Sequence, residues 1–268
     1  MGYLETCLFV EKEIEARGAN PAFPTGIGVN QVTAHYAPQD DDHSVFQEKD
    51  LIKVDFGVHV DGYVADTAVS VTFNPEYRLL LEAAGRALEV AVETAKSDVR
   101  TGEIGRNIFN EASRFGFRTI ENLTGHTLDR YIVHAGKSIP NLYVPGMPAL
   151  KKGDVFAIEP FVTNKAAAGY VVDAPSETIF SLIGRKKTGV AELDSFADMI
   201  WNQRKTLPFT PRWYTGELGK KKIEEILKQL IKRRIMRSYP TLVEASGSPV
   251  AQFEHTMALD EDGLIVLT

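Results

Sequence analysis

Two acids stand where a paired strand should carry none. In the run Asp50–Asp66, the residues on both sides of Asp61-Gly62 are mostly β-branched, apolar or aromatic. Asp-Gly is among the strongest two-residue hairpin signals, because its backbone suits the turn that right-twisted strands need. With those two residues as the loop, Gly57 falls opposite Asp66 and Asp55 opposite Ala68. Asp55 and Asp66 then leave the same face on a diagonal, roughly 7–8 Å apart at the backbone. Two carboxylates aimed at one spot repel each other unless something cationic lies between them. Either Lys53 pairs with one while the other caps a strand, or an external cation is held by both. The rest of the chain favours the external cation.

A chain of 268 residues fits one large domain or two small ones, and 44% hydrophobic with 25% charged residues allows a sizeable core. The formal charge of −6 argues against nucleic acid as a specific partner. Cys7 is the single cysteine, which excludes a disulfide framework and a thiolate metal site. With no apolar run of membrane-span length and no signal-peptide core, the expected setting is the cytoplasm, away from membranes. Asn122-Leu123-Thr124 fits a glycosylation acceptor but carries no weight in that setting.

Helical spacing of apolar residues predicts a helix over residues 3 to 17, closed by Gly18. Residues 20 to 26 read as a proline-stiffened loop and 27 to 36 as one short extended segment ending near His35. Asp40 to His43 reads as a solvated turn with His43 at the surface. The hairpin runs on to Phe73, and amphipathic helices are expected from Pro75 to Ser97 and from Gly102 to Phe115. Gly125-His126 and, eight positions on, His134 lie in a mixed stretch before a loop over 140 to 148. Val155 to Val162 reads as one central strand with Glu159 in its middle. Residues 185 to 246 read as helical, with Ile223, Ile226, Leu227, Leu230 and Ile231 on one stripe. Lys220, Lys221, Lys222, Lys232, Arg233, Arg234 and Arg237 decorate its other faces. They are a docking surface for an acidic partner such as the ribosome or, the reading we favour, the solvated side of a structural helix. Val250 to Leu259 is expected as a strand with Glu254 facing away from its apolar side and His255 packed as a core histidine. Residues 263 to 267 form a closing strand. A pattern of helix and strand pair recurs, once before about residue 75 and once after it.

Asp55, Asp66, Glu159 and Glu254 thus all fall inside strands, and His126 follows a glycine. A lone buried carboxylate costs several kcal/mol or takes up a proton, so four converging on one dry site need compensation. Two divalent cations supply it. An oxygen-rich set with one imidazole suits manganese, iron or cobalt as well as zinc. Paired metals favour hydrolytic chemistry, and the residues point to a two-metal hydrolase.

Asp55, Asp66 eleven residues on, Gly125-His126, Ile158-Glu159-Pro160 and Phe253-Glu254-His255-Thr256 resemble the pattern of the methionine aminopeptidases. The resemblance covers essentially the whole chain. It implies an α+β, pita-bread fold: two pseudo-symmetric halves around a strongly curved antiparallel sheet, forming one metallopeptidase domain over 1 to 268. The run Asp50–Asp66, where His59 matches without being a ligand, and a helical insert over about 185 to 246 resemble the type 2, archaeal and eukaryotic class. A helix that the family usually carries earlier is expected to be missing before Met1. By the same resemblance Asp55, Asp66, His126, Glu159 and Glu254 ligate two divalent ions, with Asp66 and Glu254 bridging. Glu159 shuttles the proton, and His35 and His134 bind and orient the substrate. Phe23 and Tyr239 border the methionine pocket. The implied activity is removal of the N-terminal methionine from nascent polypeptides with a small second residue, by a monomer in transient contact with the ribosome. Two rival readings share the fold: a peptidase acting on proline peptides and a non-catalytic binding protein. The first generally carries an additional N-terminal domain and lacks the insert, and the second loses ligands that this chain keeps.

Overall fold

The computed structural model describes residues 1–268. Helix α1 (Tyr3–Ala16) opens the chain, and Gly18 at φ +79° turns it away. Strands β1 (Asn20–Pro21), β2 (Gly26–Val29) and β3 (Val32–Ala34) follow. The expected loop and single extended segment are therefore three short strands. Asn20 and Pro21 pair with β4, and the extended segment is split at Asn30, at φ +53°, whose side chain donates to Asp50 and accepts from the Leu51 amide.

The hairpin forms as its sequence predicts. Strands β4 (Leu51–Val60) and β5 (Tyr63–Thr72) pair antiparallel along their whole length, with Asp55 opposite Ala68 and Gly57 opposite Asp66. Asp61 and Gly62 take φ of +50° and +87°, the left-handed pair that a two-residue turn of this kind requires. Buried His59 accepts the Gly62 amide on Nδ1 at 3.2 Å and so braces the turn.

Asn74 caps a short 3₁₀ turn (Pro75–Tyr77) that leads into α2 (Arg78–Thr94), followed by α3 (Thr101–Arg114). Alanines 83, 84, 87 and 91 let α2 approach its neighbours closely, while Leu88, Ile104 and Ile108 join a core shared with Phe156, Ile158 and Met257. Each large apolar side chain fully buried here contributes about 1.5–3 kcal/mol.

Next come β6 (Phe117–Thr119), β7 (Thr124–Leu128), β8 (Ser138–Pro140), β9 (Val155–Ile158), β10 (Phe161–Asn164) and β11 (Val171–Leu182). Helices α4 (Ala191–Arg204), α5 (Thr215–Leu218) and α6 (Lys220–Lys232) precede β12 (Met236–Glu244), β13 (Val250–Gln252), β14 (His255–Leu259) and β15 (Leu264–Val266). All the strand pairings are antiparallel and fall into four sheets: β1-β4-β2 with β5 on β4, β13-β10-β6, β11-β12-β3, and β15-β14-β9-β7-β8.

Two expected strands are each broken in the middle. Val155 to Val162 becomes β9 and β10, interrupted at Glu159-Pro160, and Val250 to Leu259 becomes β13 and β14, interrupted at Phe253-Glu254. Pro160 has no amide to donate to a ladder. The register is the same on either side of the break, Ile158 with His255 and Phe161 with Gln252, so Glu159 falls opposite Glu254 in one bent ribbon. The hairpin is fastened to that ribbon: Asp66 and Thr256, and Ser70 and Gln252, exchange hydrogen bonds at 2.7–2.8 Å, and Ala68 bridges Glu254. The α+β arrangement of two halves around a curved antiparallel sheet is as expected.

Within residues 185 to 246 the helices lie between 191 and 232, and the last part is strand β12. It pairs with β11 along its length and reaches β3. Leu193, Phe196, Ile200, Phe209, Tyr214, Ile223, Ile226, Leu227 and Leu230 form a core of their own beneath β11 and β12. Arg212 clasps Glu11 of α1 with both terminal nitrogens, at 2.8 and 3.1 Å, and Trp213 donates to the same carboxylate. His43 is exposed, as expected. His255 is only half-buried and bonded to Thr268, a satisfied histidine rather than a core one.

Candidate metal centre

Three donors stand inside strands and two at bends. Asp55 and Asp66 come from diagonal positions on one face of the hairpin, and Glu159 and Glu254 from the two bends of the ribbon. His126 stands on β7, where Gly125 lets the strand press against β9: a Cβ there would lie 2.4 Å from the Ala157 carbonyl oxygen. Asp66, His126 and Glu254 are buried, and their ligand atoms lie within 4.8 Å of one another. His126 Nε2 is 3.5 Å from Glu159 Oε1 and 3.8 Å from Asp66 Oδ2.

One cavity of about 240 Å³ is lined by Asp55, Asp66, His126, Glu159 and Glu254 and also by Phe23, His35, His134 and Tyr239. All nine residues singled out in the sequence therefore meet in one place. Phe23 lies on the hairpin beside the acids, and a Cβ at Gly57 would come within 2.3 Å of its ring. The His134 ring stands 4.3 Å from that of His126, and the His35 ring 5.6 Å from that of Tyr239, both edge to face. His35 itself is held at φ +63°, a left-handed conformation for a non-glycine residue beside the chemistry.

Charge is out of balance here. Lys53 does not serve the acids: its buried Nζ donates to the carbonyls of Val250 at 2.7 Å and Asn30 at 3.1 Å, and burial pushes its pKa down to about 7. Burial pushes Asp55 up to about 7, against a lowering hydrogen bond from Gln252. Asp66 is raised well above the carboxylate range by burial and then by Asp55. Glu159 and Glu254 are raised in the same way, by burial first and then by Asp66. Burial and then His134 lower His126 to about 3 and His35 to about 4. His134, more open at the mouth, is lowered by desolvation and then by Arg237.

The imbalance has a direct structural mark. Asp55 Oδ1, Asp66 Oδ1 and His126 Nδ1 are buried with no hydrogen-bond partner. A buried polar atom left unpaired costs about 1–3 kcal/mol and calls for an explanation. Divalent cations fit the donor set: they satisfy the carboxylates and offset their repulsion.

Sequence reasoning missed Gln252. It is buried at the end of β13, its backbone is tied to Ser70, and its Nε2 lies 3.4 Å from Glu159 Oε2 and 3.5 Å from Glu254 Oε2. It missed Val133, Ile179 and Pro208 in the cavity wall as well. An amide at a strand end and three apolar residues carry no chemical signal in a sequence.

Comparison with known proteins agrees with this geometry. Residues 3–196 match the model of metallopeptidase family M24. The chain is 41% identical over 266 residues to the methionine aminopeptidase of Pyrococcus horikoshii, covering 99% of this chain and 90% of the relative. It is 38% identical over 268 residues to that of Methanothermobacter thermautotrophicus, covering 99% and 89%. Among solved structures, a thermophilic Arx1 shares the fold at a TM-score of 0.85 and 16% identity, over 99% of this chain and 82% of that one. The methionine aminopeptidase of Thermotoga maritima does so at 0.68 and 22%, over 99% and 84%. At such identities the two structures speak for the fold alone. The family match spans most of the chain, the archaeal relatives nearly all of it, and with the converging donors they place the chain in metallopeptidase family M24.

Proposed function

We propose that this chain is a dinuclear metallo-aminopeptidase of the type 2 class that removes the N-terminal methionine from nascent proteins and peptides, preferring a small second residue. The observation that carries the reading is the convergence of four carboxylates and one imidazole with orphaned, buried oxygens. Asp55, Asp66, His126, Glu159 and Glu254 would hold two divalent ions, cobalt, manganese, iron or zinc. Bound there, the ions supply Lewis acidity and offset the repulsion of the acids.

The chain's own residues do the rest. Glu159 borders the cavity and carries a proton from the attacking water to the leaving amine. His35 and His134, held neutral at pH 7 by their lowered pKa, donate N–H bonds to the carbonyl oxygen as it gains charge and orient the scissile amide. Phe23 and Tyr239, with Ile179 and Pro208, offer an apolar slot for a thioether side chain. Neutral histidines close to the scissile bond crowd a large second residue.

The reading makes the chain one pita-bread domain with a helical insert, working as a cytoplasmic monomer beside the translating ribosome. No helix is long and apolar enough to cross a membrane. Lys220 and Lys222 are engaged by Asp41 and Glu192, so a ribosome contact would rest on Lys221, Lys232, Arg233 and Arg234. Retention of all five donors separates this reading from a non-catalytic protein of the same fold. The test is cleavage of Met-Ala-Ser, its N-acetylated form and Met-Leu-Ser by the metal-loaded protein. Cleavage of the first alone, or far above the others, supports the reading. Equal cleavage of the acetylated peptide, or none of any, overturns it.

A further inference from the structure

Side chains alternate along β12. Met236 points into the core beneath α4 and α6. Tyr239 points the other way and lines the cavity, and Thr241 on the same face donates to the His35 carbonyl at 3.4 Å. Arg237 shares that face, one place farther out. Its partner across the ladder is Ser181, whose Oγ lies 3.1 Å from the Tyr239 hydroxyl, and Tyr239 itself pairs with the cavity residue Ile179. Two residues of strand carry Arg237 about 7 Å beyond Tyr239. Its side chain is exposed, and unlike Lys220, Lys222 or Arg212 it is engaged in no ion pair. The guanidinium acts electrostatically on His134, and Asp173 on β11 acts on His35.

We propose that Arg237 is a specificity-determining residue at the cavity exit, binding a carboxylate carried two or three residues beyond the scissile bond of an extended peptide. This rests on the aminopeptidase reading, in which His134 stands beside the scissile amide. An extended chain advances about 3.3–3.6 Å per residue, so the residues after His134 pass Arg237. A planar guanidinium with unused donors recognises a carboxylate in two-point fashion. The carboxylate comes from an Asp or Glu side chain, or from the chain end of a short peptide.

The experiment measures kcat/KM for C-terminally amidated Met-Ala-X-Gly with X as Asp, Asn or Lys, and for Met-Ala-Ser as free acid and as amide. The metal-loaded wild type, R237K and R237E are compared, with melting temperature and metal content checked for each. At an exposed site the expected preference for Asp over Lys is about 2–5-fold, expressed mainly in KM and shrinking as salt is raised. R237K keeps part of the preference and R237E reverses it. A side-chain source moves the Asp:Lys ratio, and a chain-end source moves the ratio of free acid to amide; either supports the proposal. If the Asn peptide is cleaved but both ratios are the same in wild type and R237E, this inference alone is overturned. If the wild type cleaves no peptide, the aminopeptidase reading falls and takes the inference with it.

Discussion

Gln252 acts on three of the four acids. Its amide nitrogen faces Glu159 and Glu254, its hydrogen bond acts on Asp55, and the backbone on which it stands is fastened to the hairpin through Ser70. Groups that orient metal ligands typically contribute 10–100-fold to metal affinity. Gln252→Leu keeps the volume and removes the donor, so the variant should fold and bind Mn²⁺ about 10–100-fold more weakly in a calorimetric titration of metal-free protein. Wild-type affinity would make Gln252 a packing residue. At this scale the donors were legible, because a carboxylate inside a strand contradicts its surroundings and demands a partner. Gln252, Val133 and Pro208 were not, since an amide or an apolar side chain contradicts nothing until the cavity exists.

The hairpin was legible to the residue pair, because the Asp61-Gly62 turn and the two-residue alternation together leave one register open. The bent ribbon was not. Val155 to Val162 is apolar on both faces and reads as unbroken, and only Pro160 marks the place where β9 gives way to β10. Strand β12 was hidden in the same way behind the charged helices before it, although Met236 inward and Tyr239 toward the cavity already alternate. These elements must fit closely, and Gly125 shows how closely. A methyl group there meets the Ala157 carbonyl, which is backbone and can give way only if β7 moves off β9 and takes His126 with it. Gly125→Ala should cost on the order of 1–3 kcal/mol of stability and weaken metal binding as well. Chemical denaturation and the same metal titration check both; a variant unchanged in each would mean that β7 has room to spare.

For the molecule as a whole, the acids set a conflict that folding alone does not resolve. Both halves must close for Asp55 and Asp66 to meet Glu159 and Glu254, and closure buries all four. Their folded pKa values are raised, Asp55 from 3.8 to about 7 and the other three well above their ordinary range. Without metal, the folded chain therefore holds protons that the unfolded chain has already released. Stability present at acid pH is lost as pH rises from about 4 through 7 and beyond, by about 1.4 kcal/mol per pH unit for each proton retained. Lys53, lowered to about 7, pulls the other way above that pH, and His35, lowered to about 4, pulls the other way below 6.5. Neither is a proposed metal ligand, so both contributions largely cancel when protein with and without metal is compared at one pH. Metal displaces the retained protons, and its stabilisation must grow as pH rises.

The measurement is the melting temperature of the full chain with Mn²⁺ and with chelator, taken from pH 6 to pH 8. The melting temperature is expected to be higher with metal at every pH, with a gap that widens toward pH 8. No gap, or a gap independent of pH, would contradict a centre in which Asp55, Asp66, Glu159 and Glu254 share divalent ions.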